Sequence, residues 1–228
     1  MSILLPSGFS TEHSLADAKK LCENLGTNYE TVPIETNYQS FLQTLSPFFK
    51  DLPFNVAEEN LQARVRGVLL MAFSNKFGYI LLNTTNKSEA AVGYGTLYGD
   101  MCGGLAVVGD VYKTQVYELA NYINRNGELI PQNIISKAPS AELRHDQKDS
   151  DSLPEYDILD KILFQYIEKR QGPKELATMG FDKKLVDRIL KMVNGSEWKR
   201  NQAPPILRVS PKAFGMGRRM NIEGKYLG

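Results

Sequence analysis

Two cysteines and two histidines in 228 residues leave little room for thiol or imidazole chemistry. Cys22 and Cys102 cannot build a disulfide framework, and neither belongs to a Cys-x-x-Cys pair. His13 and His145 are too few for a histidine-rich metal site. No apolar run approaches the roughly 18 residues of a membrane-spanning helix. The N-terminus lacks the charged stretch and long apolar stretch of a secretory leader. Excess charge is lacking too: 27 Lys plus Arg stand against 26 Asp plus Glu, for a net +1. With 42% hydrophobic and 23% charged residues, the composition excludes a largely disordered chain. The length fits one large domain or two small ones, and folding should bury about 70% of the unfolded surface. These balances point to a cytoplasmic protein with no membrane partner.

What is present is uneven. Between Lys199 and Lys225 the basic residues are Lys199, Arg200, Arg208, Lys212, Arg218, Arg219 and Lys225, against the single acid Glu223. Such a tail suits an anionic partner, a nucleic acid or a phosphorylated small molecule, or else a solvated extension. Trp198, Pro204, Pro205, Ile206, Val209 and Phe214 interleave with the charges and argue against disorder.

The first third reads as strand, helix, strand. Ile3 to Leu5 is a short apolar run ending at Pro6-Ser7-Gly8, and Ser10 or Thr11 can cap a helix whose buried face is Leu15, Ala18, Cys22 and Leu25, with Gly26 as its stop. Thr31 to Ile34 reads as the second strand, which makes a unit of a parallel sheet. A long helix follows from Val56 to Lys76, with Leu61, Val65, Val68, Leu69, Ala72 and Phe73 as its apolar positions. Asn60 and Arg64, four apart, share a face away from much of that stripe.

Tyr79 to Leu82 is an apolar strand, and Asn83 to Glu89 is a polar loop directly after it. That is the carboxyl end of a strand, where ligands bind in open α/β sheets. From Gly93 to Gly109 there are six glycines, too many for a plain helix, so this stretch must contain turns or close backbone approaches. Leu105 to Val108 reads as another strand, and Asp110 can cap a helix with Val116, Leu119, Ala120 and Ile123 on one face. Lys113 falls in the first turn of that helix, an unfavourable place for a cation unless an anion binds nearby. Ile135 to Ser152 is loop-like. Its Asp146, Asp149 and Asp151 lack the glycine and terminal glutamate of a calcium loop. Pro154 starts a helix carrying Leu159, Ile162, Leu163, Tyr166 and Ile167, stopped at Gly172. A last helix begins near Asp182 with Leu185, Val186, Ile189 and Leu190 as core positions.

The loops are more specific than their spacing. Leu5-Pro6-Ser7-Gly8-Phe9-Ser10-Thr11-Glu12-His13-Ser14, Val56 to Gly67, Thr85-Asn86-Lys87-Ser88-Glu89, Tyr98-Gly99-Asp100, Gly109-Asp110-Val111-Tyr112-Lys113-Thr114, Lys137 to Leu143, Asp149 to Pro154, Lys199-Arg200 and Lys212-Ala213-Phe214-Gly215 follow one another in an order and spacing that resembles the NAD synthetases. The resemblance covers nearly the whole chain and is closest to the synthetase domain of the glutamine-dependent type. It implies an α/β, Rossmann-like adenine nucleotide alpha-hydrolase (ATP-pyrophosphatase) fold with a parallel sheet, lacking its first strand. Residues 1–150 would be the nucleotide-binding part, and 151–228 a helical part whose basic tail completes the deamido-NAD site.

The activity implied is adenylylation of the deamido-NAD carboxylate by ATP with magnesium, followed by displacement of AMP by ammonia. By this likeness Thr84, Lys113 and Ser140 contact ATP, and Glu89 is a magnesium ligand bordering deamido-NAD. Asn60, Arg64, Trp198 and Lys199 contact deamido-NAD. Taken singly, Glu89 could cap a helix, Arg64 could form a surface ion pair, and Trp198 could be packing. A homodimer and a glutaminase domain in the longer protein are implied as partners.

One family motif is missing. The Ser-Gly-Gly-x-Asp-Ser loop that cradles pyrophosphate at a helix N-terminus matches nothing in these residues. The expectation is a piece of a longer protein with little or no synthetase activity by itself, with unpaired backbone groups and an uncovered apolar slot beside the absent strand. The rivals are a non-catalytic module that keeps dinucleotide binding and dimerisation, and a nucleic-acid binder using the basic tail.

Overall fold

A computed structural model describes residues 1–224; Lys225 of the basic tail lies outside them. The chain forms two compact units, Met1–Gly78 with Tyr117–Ser152, and Tyr79–Val116 with Leu153 onward.

In the first unit, β1 (Ser2–Leu4) pairs in parallel with β2 (Tyr29–Thr31), Ser2 opposite Tyr29, with α1 (Glu12–Asn24) as the crossover. Thr11 is the cap, its hydroxyl accepting the Ser14 amide. Of the expected buried face, only Cys22 is fully buried, and Leu25 is half exposed as the chain leaves the helix. The second strand starts earlier than the apolar run suggested. Val32 and Ile34 still donate to the Leu4 and Pro6 carbonyls, but Pro6 has no N–H to donate back to the Val32 carbonyl, so the regular ladder ends at Thr31.

A helix absent from the sequence reading, α2 (Glu35–Phe49), follows, with Tyr38 its only fully buried residue. α3 (Val56–Phe77) is the expected long helix, closed at its start by a reciprocal capping box between Asn55 and Glu58. Its buried face differs from the expected stripe: Gln62, Ala63, Val65 and Gly67 point inward, whereas Val68 is exposed. Polar side chains take the inward places because they have acceptors there, Gln62 Nε2 on the Leu143 carbonyl at 2.8 Å and Arg66 Nε on that of Leu5 at 2.9 Å.

The second unit holds the main core. β3 (Leu82–Asn83) pairs in parallel with β4 (Leu105–Ala106), both shorter than the expected strands. Tyr79 and Ile80 precede the ladder with their side chains exposed, Ile80 at 74%, and Leu82 is also exposed. Among the described residues the strands form two separate two-stranded sheets, and β3 has β4 as its one neighbour. The segment after β3, expected as loop throughout, turns at Asn86 into α4 (Lys87–Val92).

α5 (Lys113–Ile123) starts where expected, but no residue of its apolar face is fully buried, and Leu119 and Ile123 are nearly half exposed. Asp110 does not cap it, because its carboxylate is already engaged by Lys87 and by the Val209 and Ser210 amides. In the first unit, α6 (Gln132–Ser136) precedes the long polar loop.

α7 (Tyr156–Ile167) and α9 (Lys183–Gly195) match the reading closely, with Asp182 accepting the Leu185 amide as cap. Leu159, Ile162, Leu163, Val186, Ile189, Leu190 and Val193 are all completely buried. Between them Gly172 does not stop α7 but precedes a further helix, α8 (Pro173–Thr178), with Pro173 at its first position. α4 packs on α7 and α9. After α10 (Glu197–Arg200) the tail is no solvated extension: Ala106 bridges to Ile206, and Ala213 and Phe214 are buried.

Candidate functional site

The chemistry gathers where β3 and β4 hand over to helices. At the end of β3, Asn83 is buried, and its amide group donates to the carbonyls of Asp100 (2.8 Å) and Cys102 (3.1 Å). This ties the glycine-rich stretch to the strand. Gly103, at φ +143, lies against that strand so closely that a Cβ would stand 3.0 Å from the Leu81 carbonyl oxygen. Thr84 follows Asn83 and is exposed.

The chain then turns into α4 through a capping box. Asn86 Oδ1 accepts the Glu89 amide at 3.0 Å, and Glu89 Oε2 accepts the Asn86 amide at 3.1 Å. The other Glu89 oxygen, Oε1, accepts from Lys113 Nζ at 3.3 Å. The side chains are 18% and 19% exposed, which leaves the pair at the surface but partly desolvated. Burial pushes the Glu89 carboxyl above the usual carboxylate range, against the lowering pull of Lys113 and Asn86. Glu89 therefore caps a helix and pairs with a cation at once, and Lys113 finds beside it the anion its place in the first turn of α5 requires.

Lys199 Nζ donates to the carbonyls of Gly93 and Gly95, 2.8 Å each, and lies 5.8 Å from the ring of Trp198, which is 43% exposed. Tyr98, in the left-handed region at φ +64, donates from its hydroxyl to Gln202 Oε1 at 2.6 Å. The basic pair Lys199-Arg200 thus holds the glycine loop and α4 in place. Arg200 donates to the Ala90, Ala91 and Val193 carbonyls and to Glu197, and stacks 4.7 Å over Phe214.

Thr84, Glu89, Lys113, Trp198 and Lys199 all belong to the second unit, where Glu89 pairs with Lys113 and Lys199 lies beside the ring of its neighbour Trp198. Asn60, Arg64 and Ser140 belong to the first. Asn60 is half-buried and Arg64 exposed on α3, in keeping with a shared face off the helix's buried side. Ser140 Oγ accepts the Glu142 amide at 3.1 Å. Glu142, at φ +50, returns its carboxylate to Lys137 Nζ (2.6 Å), Ser14 Oγ (2.6 Å) and Thr11 Oγ1 (3.1 Å). The loop bearing Ser140 is thereby fastened to the start of α1.

Sequence reasoning missed the group beneath the Glu89–Lys113 pair. Lys87 is completely buried, donating to Asp110 Oδ1 (2.8 Å), Ser210 Oγ (2.9 Å) and Glu168 Oε1. A lysine at the first position of a helix, among acids far off in sequence, carries no local signal of that burial.

The residues 1–203 match the family described as NAD synthase. The chain belongs to that family. The glutamine-dependent NAD(+) synthetase of Synechocystis is 53% identical over 222 residues, which are 97% of this chain and 40% of that protein. Among solved structures, the glutamine-dependent NAD+ synthetase from Acinetobacter baumannii in complex with ADP is 42% identical with a TM-score of 0.59, covering 96% of this chain and 40% of its own. The NMN synthetase from Francisella tularensis is 29% identical at a TM-score of 0.73, covering 92% and 78%. The chain thus spans about 40% of the length of the glutamine-dependent relatives it matches, and shares the Rossmann-like ATP-pyrophosphatase fold of the NAD synthases. Its parallel strand pairs and helical C-terminal part fit that assignment.

Proposed function

We propose that this chain serves NAD biosynthesis as the greater part of an NAD synthetase's ligase domain. The reaction is the ATP-dependent amidation of deamido-NAD. A carboxylate oxygen attacks the α-phosphorus of ATP and expels pyrophosphate; ammonia then adds to the activated carbonyl, loses a proton and displaces AMP. The observation that carries this reading is the Glu89–Lys113 pair at the helix entries that follow β3 and β4, in a family named for this synthesis. Lys113 at the start of α5 offers a cation to the phosphates, with Thr84 on the β3–α4 connection and Ser140 on its fastened loop as further contacts. Asn60, Arg64, Trp198 and Lys199 recognise deamido-NAD, whose carboxylate end Glu89 borders.

Magnesium enters with the triphosphate. Among the described residues no cluster of three metal-binding side chains exists. Glu89 would hold the ion through its carboxylate, with phosphate oxygens and water supplying the rest. Bound there, it would neutralise charge on the phosphates. The longer relatives are glutamine-dependent NAD(+) synthetases, and ammonia delivered by a glutaminase domain is the source proposed for this protein.

Because residues 1–228 hold no Ser-Gly-Gly-x-Asp-Ser loop, turnover by these residues alone is expected to be slight. Incubation with deamido-NAD, magnesium–ATP and ammonia tests this, and normal NAD formation defeats it. Calorimetry with magnesium–ATP tests the site itself. Binding that Lys113→Ala weakens about tenfold supports it, and binding indifferent to Lys113 and Glu89 overturns it. Deamido-NAD binding with no ATP requirement would favour the non-catalytic module, and tight, steeply salt-dependent oligonucleotide binding the basic-tail reading.

The exposed Phe41, Phe48 and Phe54 on and after α2, Phe48 at 76% exposure, support a homodimer through that surface. No helix of the described residues is long and apolar enough to cross a membrane.

A further inference from the structure

Asp160 lies in the middle of α7, among Leu159, Ile162 and Leu163, and is 5% exposed. Its carboxylate reaches both segments that carry the candidate site. Oδ1 accepts from Ser88 Oγ at 2.5 Å, and Ser88 Oγ in turn accepts from the Lys113 amide at 2.9 Å. Oδ2 accepts from the Thr114 amide and the Thr114 hydroxyl, 2.9 Å each. Ser88 immediately precedes Glu89, and Thr114 immediately follows Lys113. One carboxylate therefore holds the chain neighbours of both members of the ion pair. Tyr156, one turn earlier on the same helix, sets its ring 5.5 Å from Lys113 Nζ.

The arrangement is expensive for a core position. These three donors are neutral groups, and burial pushes the Asp160 carboxyl above its usual range against their opposing pull. Packing alone would be served as well by an apolar side chain like its neighbours. What an apolar residue cannot supply is an acceptor for the first amides of α5, whose own sequence provides no cap at Asp110.

We infer that Asp160 is a positioning residue for the Glu89–Lys113 pair: by gripping Ser88 and Thr114 it fixes the entries of α4 and α5 at the separation that puts the two charged side chains together. The inference rests on the reading of that pair as the polyphosphate site, and its geometric part can be measured without a nucleotide.

The experiment uses the 228-residue chain and the variants Asp160→Asn, Thr114→Val and Thr114→Ser, with thermal unfolding recorded for each. NMR reports the position of Lys113 through the ring-current shift of its ε protons and their contacts to the Tyr156 ring. Asp160→Asn and Thr114→Val are expected to lose these contacts and at least half of the shift, and Thr114→Ser, which keeps the hydroxyl, to retain both. Magnesium–ADP binding, where the parent shows it, should weaken about tenfold in the first two variants and stay unchanged in the third. Folded Asp160→Asn and Thr114→Val chains with parental Lys113 signals would overturn the inference. Should Asp160→Asn fail to fold, Thr114→Val decides, since it removes one hydroxyl and leaves the shape of the side chain. Parental chain that fails to bind the nucleotide, with Lys113 still displaced in the variants, would sink the polyphosphate reading and uphold the positioning.

Discussion

Lys87 shows most sharply what one residue does here. Its ammonium is completely buried against Asp110 and Glu168, with Ser210 as a third acceptor, and the Tyr112 ring centroid is 5.0 Å away. Lys87→Met would strand two carboxylates without their cation, at a cost of about 3–5 kcal/mol; a urea titration should show the midpoint falling accordingly, with a loss under 1 kcal/mol counting against it. Glu142 acts differently. Burial raises its carboxyl, but Lys137, the Ser14 hydroxyl and the Thr11 amide more than offset this and hold it below the usual range. A lowered carboxyl stabilises the fold above its unfolded value near pH 4 and loses that contribution as the pH falls through its folded value. Glu142→Gln should therefore be the less stable protein at pH 7, and the gap from the parent should close as the pH approaches 3. Neither residue was legible by position alone. Lys113 was, because a cation in the first turn of a helix is a local conflict that calls for an anion, and Glu89 stands there.

At the scale of elements, legibility followed the division of labour within each helix. α7 and α9 bury one continuous apolar face, so their periodicity named Leu159, Ile162, Leu163, Val186, Ile189 and Leu190 correctly. α2 buries only Tyr38 and presents phenylalanines outward, so its pattern gave no helical face to read. α3 was placed rightly but rotated wrongly, since Gln62 and Arg66 turn inward for carbonyls contributed by distant loops. Two glycines at helix ends provide a matched test. Gly78 and Gly93 end α3 and α4 at φ +69 and +73, but an added Cβ at Gly78 meets nothing within 4 Å, while at Gly93 it would stand 2.2 Å from Ser196 Oγ. Gly78→Ala should cost only the conformational penalty, about 1–2 kcal/mol, and Gly93→Ala clearly more. Equal losses in denaturant melts would contradict the crowding at Ser196.

For the molecule as a whole, the sheet pairing is short. Among the described residues the strands form two two-stranded sheets, with Ile80 exposed just before β3 and Leu82 exposed at its start. The parallel pairing was legible from strand–helix–strand order, whereas the shortness of β3 and β4 was not, because ladder length depends on partners the local sequence does not specify. An exposed apolar strand is a site of unwanted association. Ile80→Lys should lower light scattering at high protein concentration and leave the melting temperature within a few degrees of the parent. If the proposed dimer forms through α2, Phe48→Asp should instead abolish it in sedimentation while leaving scattering due to Ile80 in place.

The two kinds of ion pair also set how the fold should answer to ionic strength. Arg144 joins Glu59 at 2.8 Å and Asp151 at 3.1 Å where solvent reaches all three, whereas the Lys87 group has no solvent around it. At molar salt, screening acts beyond about 3 Å in water but has little hold on a dry interior. Sodium chloride should therefore loosen the loop bearing Arg144, seen as faster amide exchange across 142–151, before it touches the packing of α4 on α7 and α9.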